Sequence, residues 1–313
     1  MRWQAGFDFS PSDTVAFAQP TPLSAALNRD VSGSGSIING TLTANGRVYI
    51  LNTAGVTLGS NAVIATAAFA ISTLDVSDSD FLNGFPSSVV HLAGWGDGIT
   101  VLDGAKMVAS QHVVLVGNGV TLGTPTGGGA AISAPYIGIA SSAGGTVDIG
   151  LALTLPTING TTLGNIHLLS VTNANDVQIQ GNTILSAQQG NLAGGQMDIS
   201  AQNIEVAWHN LLTTSTLDAS SHASVGAGGN INLYATVDVR CSTLLGPAHF
   251  FANGTGGGLG GNIIVFAGHA FQLSLAGVIQ AEPLGTIEIA YQNDNFTNLG
   301  TIQAGTVGQI SHQ

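Results

Sequence analysis

The stretch ANGRVYILNTAGVTLGSNAVIATAAFAISTLDVSDSDFLNG, residues Ala44 to Gly84, decides the fold. Val48, Ile50, Val56 and Leu58 stand at strand spacing, and Asn52 and Gly55 bracket a corner between the two pairs. Three aspartates then follow within six positions, at Asp75, Asp78 and Asp80. The same stretch holds one arginine and no lysine, histidine or cysteine. It is dense in structural signals and poor in reactive groups.

The rest of the chain repeats the pattern. Short runs of alternating apolar residues recur as HVVLVG, IGIAS, TVDIG, DVQIQ, MDIS, INLYA, IIVFAG, FQLSL and TIEIA, each bounded by Gly, Asn, Ser or Thr. No helical period is sustained, and glycine recurs too often for long helices. Many of the strands share a glycine preface: GGTVDIG from Gly144, GNIHLLS from Gly164, GGQMDISA from Gly194, GGNINLYA from Gly228, GGNIIVFA from Gly260 and GTIEIA from Gly285. By subtraction their starts lie 20, 30, 34, 32 and 25 residues apart. Intervals that vary while the strand stays constant describe a solenoid whose coils differ at their corners. The fold class is therefore all-β. A right-handed parallel β-helix is the first reading, and a β-sandwich of many short strands is the competitor.

A solenoid also accounts for the composition. Only 7% of the 313 residues are Asp, Glu, Lys or Arg, against roughly 25% in an ordinary domain. Coils stack about 4.8 Å apart, so like charges at equivalent positions face one another and destabilise the stack. Ser, Thr, Asn and Gln stack without that cost, and Asn can bond its counterpart in the next coil. Five basic residues against a net charge of −12 argue against nucleic acid and anionic lipid as partners. The apolar runs are too interrupted for a membrane span. The first residues, MRWQAGFDFSPSD, lack the apolar core of a signal peptide. Cys241 stands alone, which excludes an internal disulfide and thiolate metal motifs.

Residues 1–85 resemble the two-partner-secretion (TPS) domain, the filamentous-haemagglutinin-like N-terminal domain of secreted bacterial exoproteins. The matching segments run in order. RWQAGFDFSPSDTVAFAQP is similar to a Trp-x-x-Phe segment leading to Val-x-Phe-x-Gln-Pro. AALNRDVSGSGSIINGTLTANGRVYILN is similar to Leu-Asn-Arg, Ser-x-Ile-x-Gly and Ala-Asn-Gly-x-Val segments. TAGVTLGSNAVIATAAFAISTLDVSDSDFLNG resembles the end of an Asn-Pro-Asn-Gly turn and a Ser-Thr-Leu-Asp-Ile-Ser-x-x-Asp-Phe block. The turn here reads Asn52-Thr53-Ala54-Gly55, and the family strands that precede the Trp-x-x-Phe segment do not occur before Met1, which implies a truncated, processed or differently capped start. The resemblance implies a right-handed parallel β-helix, export through an outer-membrane TpsB-type transporter, and a transporter-recognition turn at Asn52, Gly55 and Gly59. It divides the chain into a leading block, 1–85, and continuing coils with Gly-Gly-x-apolar repeats, 86–313.

Catalytic raw material is sparse. A polysaccharide lyase needs a basic residue to take a proton beside a uronate, and a glycoside hydrolase needs converging carboxylates. Glu205, Glu282 and Glu288 are the only glutamates and lie far apart. Asp75, Asp78 and Asp80 form the one close acidic group. They read as caps of a turn or short helix, with an oxygen-rich Ca2+ loop as the alternative. No two of the eight histidines, among them His91, His167, His209 and His312, sit at metal-binding spacing. The loop GTGGGLGGN, Gly254 to Asn262, precedes a strand rather than a helix and reads as a corner, not a phosphate site. Trp95, between glycines in LAGWGDGI, is the candidate ligand contact. Together with this scarcity, the resemblance implies a secreted, non-catalytic protein acting in adhesion or surface attachment, with no cofactor and with a host or cell-surface glycan or protein receptor as partner. The second reading is a subunit that self-associates into an extracellular filament or biofilm matrix, and the third a polysaccharide-active enzyme.

Overall fold

A computed structural model describes residues 1–84, 90–150, 167–171, 175–189, 193–208, 210, 212–242, 246–291 and 296–312. Successive turns of the chain lay strand on strand. Ser36–Ile38, Val56–Leu58, Ile99–Val101, Val120–Leu122, Val177–Ile179, Ile204–Val206, Asp238–Cys241, Ala270–Leu273 and Phe296–Asn298 follow one another in a single parallel sheet. The remaining coil strands form the other faces, and the long strands Val63–Ser72 and Lys106–Gly117 run along two of those faces in turn. The protein is a parallel β-helix, as its alternating runs predict.

Register places equivalent residues in columns. One inward column of the nine-stranded sheet is Ile38, Leu58, Val101, Leu122, Ile179, Val206, Cys241 and Leu273. A second runs from Leu42 through Ile64, Met107, Ile132, Leu185, Leu217 and Phe250 to Ile279. A third runs from Ile50 through Ile71, Leu115, Ile139, Ile199, Leu233 and Val265 to Ile289. All of these side chains are buried in one continuous core. Each fully buried Leu, Ile or Phe contributes about 1.5–3 kcal/mol relative to exposure. Cys241 is one apolar rung among others.

The glycine preface has a geometric cause. Gly195, Gly229 and Gly261 stand one above another, just before the paired residues Gln196, Asn230 and Asn262. A Cβ on Gly229 would collide with the carbonyl of Gly195, and one on Gly261 with that of Gly229. Corners of successive coils approach too closely here for any side chain. Elsewhere the corners use amides and carboxylates as rungs. Asn175 Nδ2 donates to Asn118 Oδ1 at 2.8 Å, and Asn203 Nδ2 to Asp176 Oδ1 at 2.9 Å. Asn210 Nδ2 donates to the carbonyls of Gly181 and Thr213.

Charge scarcity along the columns is also visible. In the outward column of the nine-stranded sheet, Thr57, Thr100, Thr121 and Gln178 precede Glu205 and Arg240. Arg240 donates to Glu205 at 3.1 Å and to Asp238 at 2.6 Å, and Gln178 donates to Glu205 at 2.9 Å. Here the close acids Glu205 and Asp238 share one cation, Arg240.

Two of the expected coil units behave differently. GGTVDIG contributes the strand Gly145–Gly150, which pairs antiparallel with Val90–Gly94 and with His167–Val171, outside the helix. This corrects the reading of GGTVDIG and GNIHLLS as coil strands. The physical reason lies on the helix surface: Leu51, Val114, Val116, Tyr136 and Ala140 point outward on the early coils and are apolar. Leu92 and Val147 of the added sheet, with Leu74, Val76 and Phe81, cover them as a second, smaller core. Gly164 and residue 85, the end of the expected leading block, lie outside the described residues, as does His209. The pairings Val56–Leu58 with Ile99–Val101 and Val63–Ser72 with Lys106–Gly117 carry the columns from the leading block into the later coils.

Candidate functional site

The candidate site is the corner at Asn52 together with the elements that pack beside the first coils. The strand Arg47–Leu51 ends at Asn52, and Val56–Leu58 begins the next face. Asn52 is buried, and its amide is fully used. Oδ1 accepts from Ala54 N–H at 2.9 Å, while Nδ2 donates to Ser34 O and Ser36 Oγ, both at 2.8 Å. Gly55 closes the turn by donating to Asn52 O at 3.1 Å and has a φ of +95°, a region that favours glycine. Gly59 is required for another reason: a Cβ there would strike the side chain of Asn39. The three residues thus build the corner from inside, and Thr53 is what the corner exposes.

Asp30 anchors the neighbouring coil. It accepts from Phe7 N–H at 2.9 Å, Ser32 N–H at 2.9 Å and Ser36 Oγ at 2.7 Å. Burial opposes its charge, yet the hydrogen bonds from Ser36, Ser32 and Phe7 hold its carboxyl below the usual range.

Of the three predicted aspartates, Asp75 and Asp78 converge on Arg29. The guanidinium donates to Asp75 at 2.9 Å, to Asp78 and to the carbonyl of Val76. Hydrogen bonding to Arg29, and then its charge, lower the Asp78 carboxyl from its ordinary value. Asp78 opens the helix Asp78–Gly84, and Asp80 N–H donates to Ser77 Oγ at 3.0 Å, an N-terminal cap. The cation between Asp75 and Asp78 is Arg29, and among the described residues no group of three or more His, Cys, Asp or Glu is arranged to hold a metal. Sequence reading missed Arg29, whose partners lie 46 and 49 positions away.

Beneath the helix, the Tyr49 ring meets Phe81 edge-on at 5.6 Å between centroids, and its hydroxyl lies 3.3 Å from His112 Nε2. Burial pushes the tyrosine pKa up and the imidazole down to about 3, so His112 is neutral at physiological pH. A cleft of about 470 Å³ opens between the helix and the strand Ala25–Asp30, lined by Leu27, Arg29, Asp78, Phe81 and Leu82. Trp95 is 78% exposed, at the end of the added sheet, with its ring over Gly144. It stands apart from the Asn52 side chain, which is buried, although the backbone links their loops: Asp97 N–H donates to Thr53 O at 2.9 Å.

The other candidates remain dispersed. His222 pairs with Asp218 at 3.0 Å and His269 with Asp238 at 2.8 Å, in different parts of the solenoid. The side chains of His91, His167 and His312 lie outside the described residues. The loop from Gly254 forms a corner, with Gly254 N–H donating to Glu282 O and Gly258 N–H to Thr255 O.

A parallel β-helix with this leading corner and side-packed cover has the construction of a secretion domain. Residues 2–233 match the TPS secretion domain, and the chain belongs to that family. Its members are exported, so the protein is secreted or held at the bacterial cell surface. Two heme/hemopexin-binding proteins of Haemophilus influenzae are similar to it. One is 35% identical over 119 residues, 36% of this chain and 13% of the relative. The other is 39% identical over 74 residues, 24% of this chain and 8% of the relative. The HMW1 secretion domain from Haemophilus influenzae superposes with a TM-score of 0.59 at 18% identity, covering 98% of this chain and 91% of that one. That likeness concerns the fold, which is a β-helix in both.

Proposed function

We propose that this chain is the leading part of a secreted exoprotein that attaches cells to a host or cell-surface receptor through an extended, non-catalytic surface. The observation that carries this reading is the outward columns. Among the described residues they present hydroxyl, amide and apolar side chains along the solenoid, including exposed Tyr234 stacked on Phe266 with ring centroids 4.8 Å apart. Membership of the TPS family supports a TpsB-type transporter as the first partner. The corner of Asn52, Gly55 and Gly59 serves that encounter by holding Thr53 and the adjoining backbone in place, since Asn52 itself is enclosed. Similarity to heme/hemopexin-binding proteins makes a host serum protein the first receptor class to try.

The test is attachment. Beads carrying the purified chain should bind host epithelial cells or immobilised hemopexin saturably, and soluble chain should compete. Binding no greater than that of beads carrying an unrelated β-helix would overturn the attachment reading.

A further inference from the structure

Among the described residues, one long face of the solenoid carries a run of exposed side chains. It is formed by the strands Thr41–Ala44, Val63–Ser72, Lys106–Gly117, Ala131–Ala134, Ile184–Gln189, Ser215–Asp218, Ala248–Phe251 and Val278–Tyr291. Its outward side chains stand in two ranks. Val63, Lys106, Ala131, Ile184, Thr216 and His249 are successive rungs of the first. Ala65, Val108, Ser133, Ser186, Asp218 and Phe251 are the corresponding rungs of the second. Val63, Val108 and Ile184 are 42%, 56% and 48% exposed. Lys106 is the only lysine of the chain and forms no ion pair with a carboxylate among the described residues. In a molecule of net charge −12, its single lysine stands on the second of these six rungs, three rungs from Asp218 on the same face.

We propose that this face packs against the same face of a second copy, with the two solenoids antiparallel. The proposal rests on self-complementarity. A twofold axis lying in the interface, along the strands and between the Ala131 and Ile184 rungs, reverses the order of rungs and keeps each rank opposite itself. Ala131 then faces Ile184, Ala65 faces Phe251, and Val63 faces His249, so that small side chains meet large ones. The rung of Lys106 and Val108 faces the rung of Thr216 and Asp218. The lysine reaches the aspartate diagonally, twice in the dimer. Within its own chain Asp218 accepts from Ser220 N–H at 2.9 Å and lies 3.0 Å from His222 Nε2. Those contacts fix its carboxylate while leaving its charge without a lysine or arginine among the described residues. Packed sheets lie about 10 Å apart, and beside the axis the hydroxyls of Ser133 and Ser186 face each other across that gap. Rungs about 4.8 Å apart make the face long and narrow. Its area falls in the class of weak complexes, below about 1,200 Å² in total. The association is therefore a concentrated-solution or cell-surface event. It goes beyond receptor attachment and does not depend on it.

Sedimentation velocity of the full 313-residue chain between about 1 μM and about 1 mM tests this. The weight-average sedimentation coefficient should climb from monomer toward dimer, and Ala131→Arg or Ile184→Arg, at exposed positions that face each other beside the axis, should hold it at monomer. Lys106→Glu should weaken association at least about tenfold, and adding Asp218→Lys should restore it. A chain that stays monomeric to the highest concentration would overturn the proposal. So would association that survives both arginine variants, or a charge swap that fails to restore it in a chain with an unchanged melting temperature. Because Asp218 also holds Ser220, the two arginine variants at exposed positions decide the matter if the swap lowers that temperature.

Discussion

The carboxamide of Asn52 joins its own turn to the preceding coil, through the Ser34 carbonyl and the Ser36 hydroxyl. Replacing it with alanine removes three hydrogen bonds of a buried amide and leaves the Ala54 N–H without its acceptor, a loss of about 1–3 kcal/mol. Urea unfolding of Asn52→Ala should show that loss, whereas Thr53→Ala, at an exposed position, should change stability by less than about 0.5 kcal/mol. His112 makes a pH-dependent prediction. Its folded pKa is pushed down by burial to about 3 from an ordinary 6.5. Between those values the unfolded chain binds one more proton, so stability falls as pH drops through that window, by up to about 1.4 kcal/mol per unit. His112→Gln should flatten this part of the stability–pH curve, as measured by denaturant midpoints from pH 7 to pH 3. The turn role of Asn52 and Gly55 was legible because turn chemistry is local. The burial of His112 was not, because it depends on a tyrosine 63 positions away and on the cover above both.

At the scale of elements, the columns make Cys241 a core rung between Val206 and Leu273. Burial pushes its thiol pKa up, so a thiol reagent should label the native chain no faster than it unfolds and label it fully in denaturant. Rapid native labelling would contradict the column. The helix Asp78–Gly84 is tied to the first coils by Arg29. The Asp78 carboxyl is held below its ordinary 3.8 by that hydrogen bond and charge, so the tie is complete above that pH and is lost as pH falls through the lowered value. Hydrogen exchange in the helix should therefore stay slow at neutral pH and rise only in strong acid, while Arg29→Gln should raise it at pH 7. Alternation and the glycine preface were sufficient to read the coil strands beginning at Gln196, Asn230, Asn262 and Thr286, because each signal lies within a few residues of the strand it marks. The same signals at GGTVDIG pointed to a coil and led to the antiparallel cover instead. A period of two states which side of a strand is apolar, and gives no indication of which sheet will receive it.

For the whole molecule, scarce charge and repeated register have one origin. Side chains at equivalent positions meet their own kind every coil, so the sequence favours hydroxyls, amides and apolar groups, and the acids that gather at Glu205 and Asp238 or at Asp75 and Asp78 are bridged by Arg240 and Arg29. This is a surface suited to long contact, and it reaches the cell exterior as a TPS secretion domain. Export can be measured directly. The chain, placed behind a periplasmic signal peptide, would be expressed with and without the TpsB-type transporter of its own organism, and the culture medium assayed for the protein. Release should depend on the transporter and should fall at least about tenfold with Asn52→Ala combined with Gly59→Val, which distort the corner proposed to meet the transporter. Equal amounts in the medium with and without the transporter, or full retention in the periplasm when it is present, would contradict it.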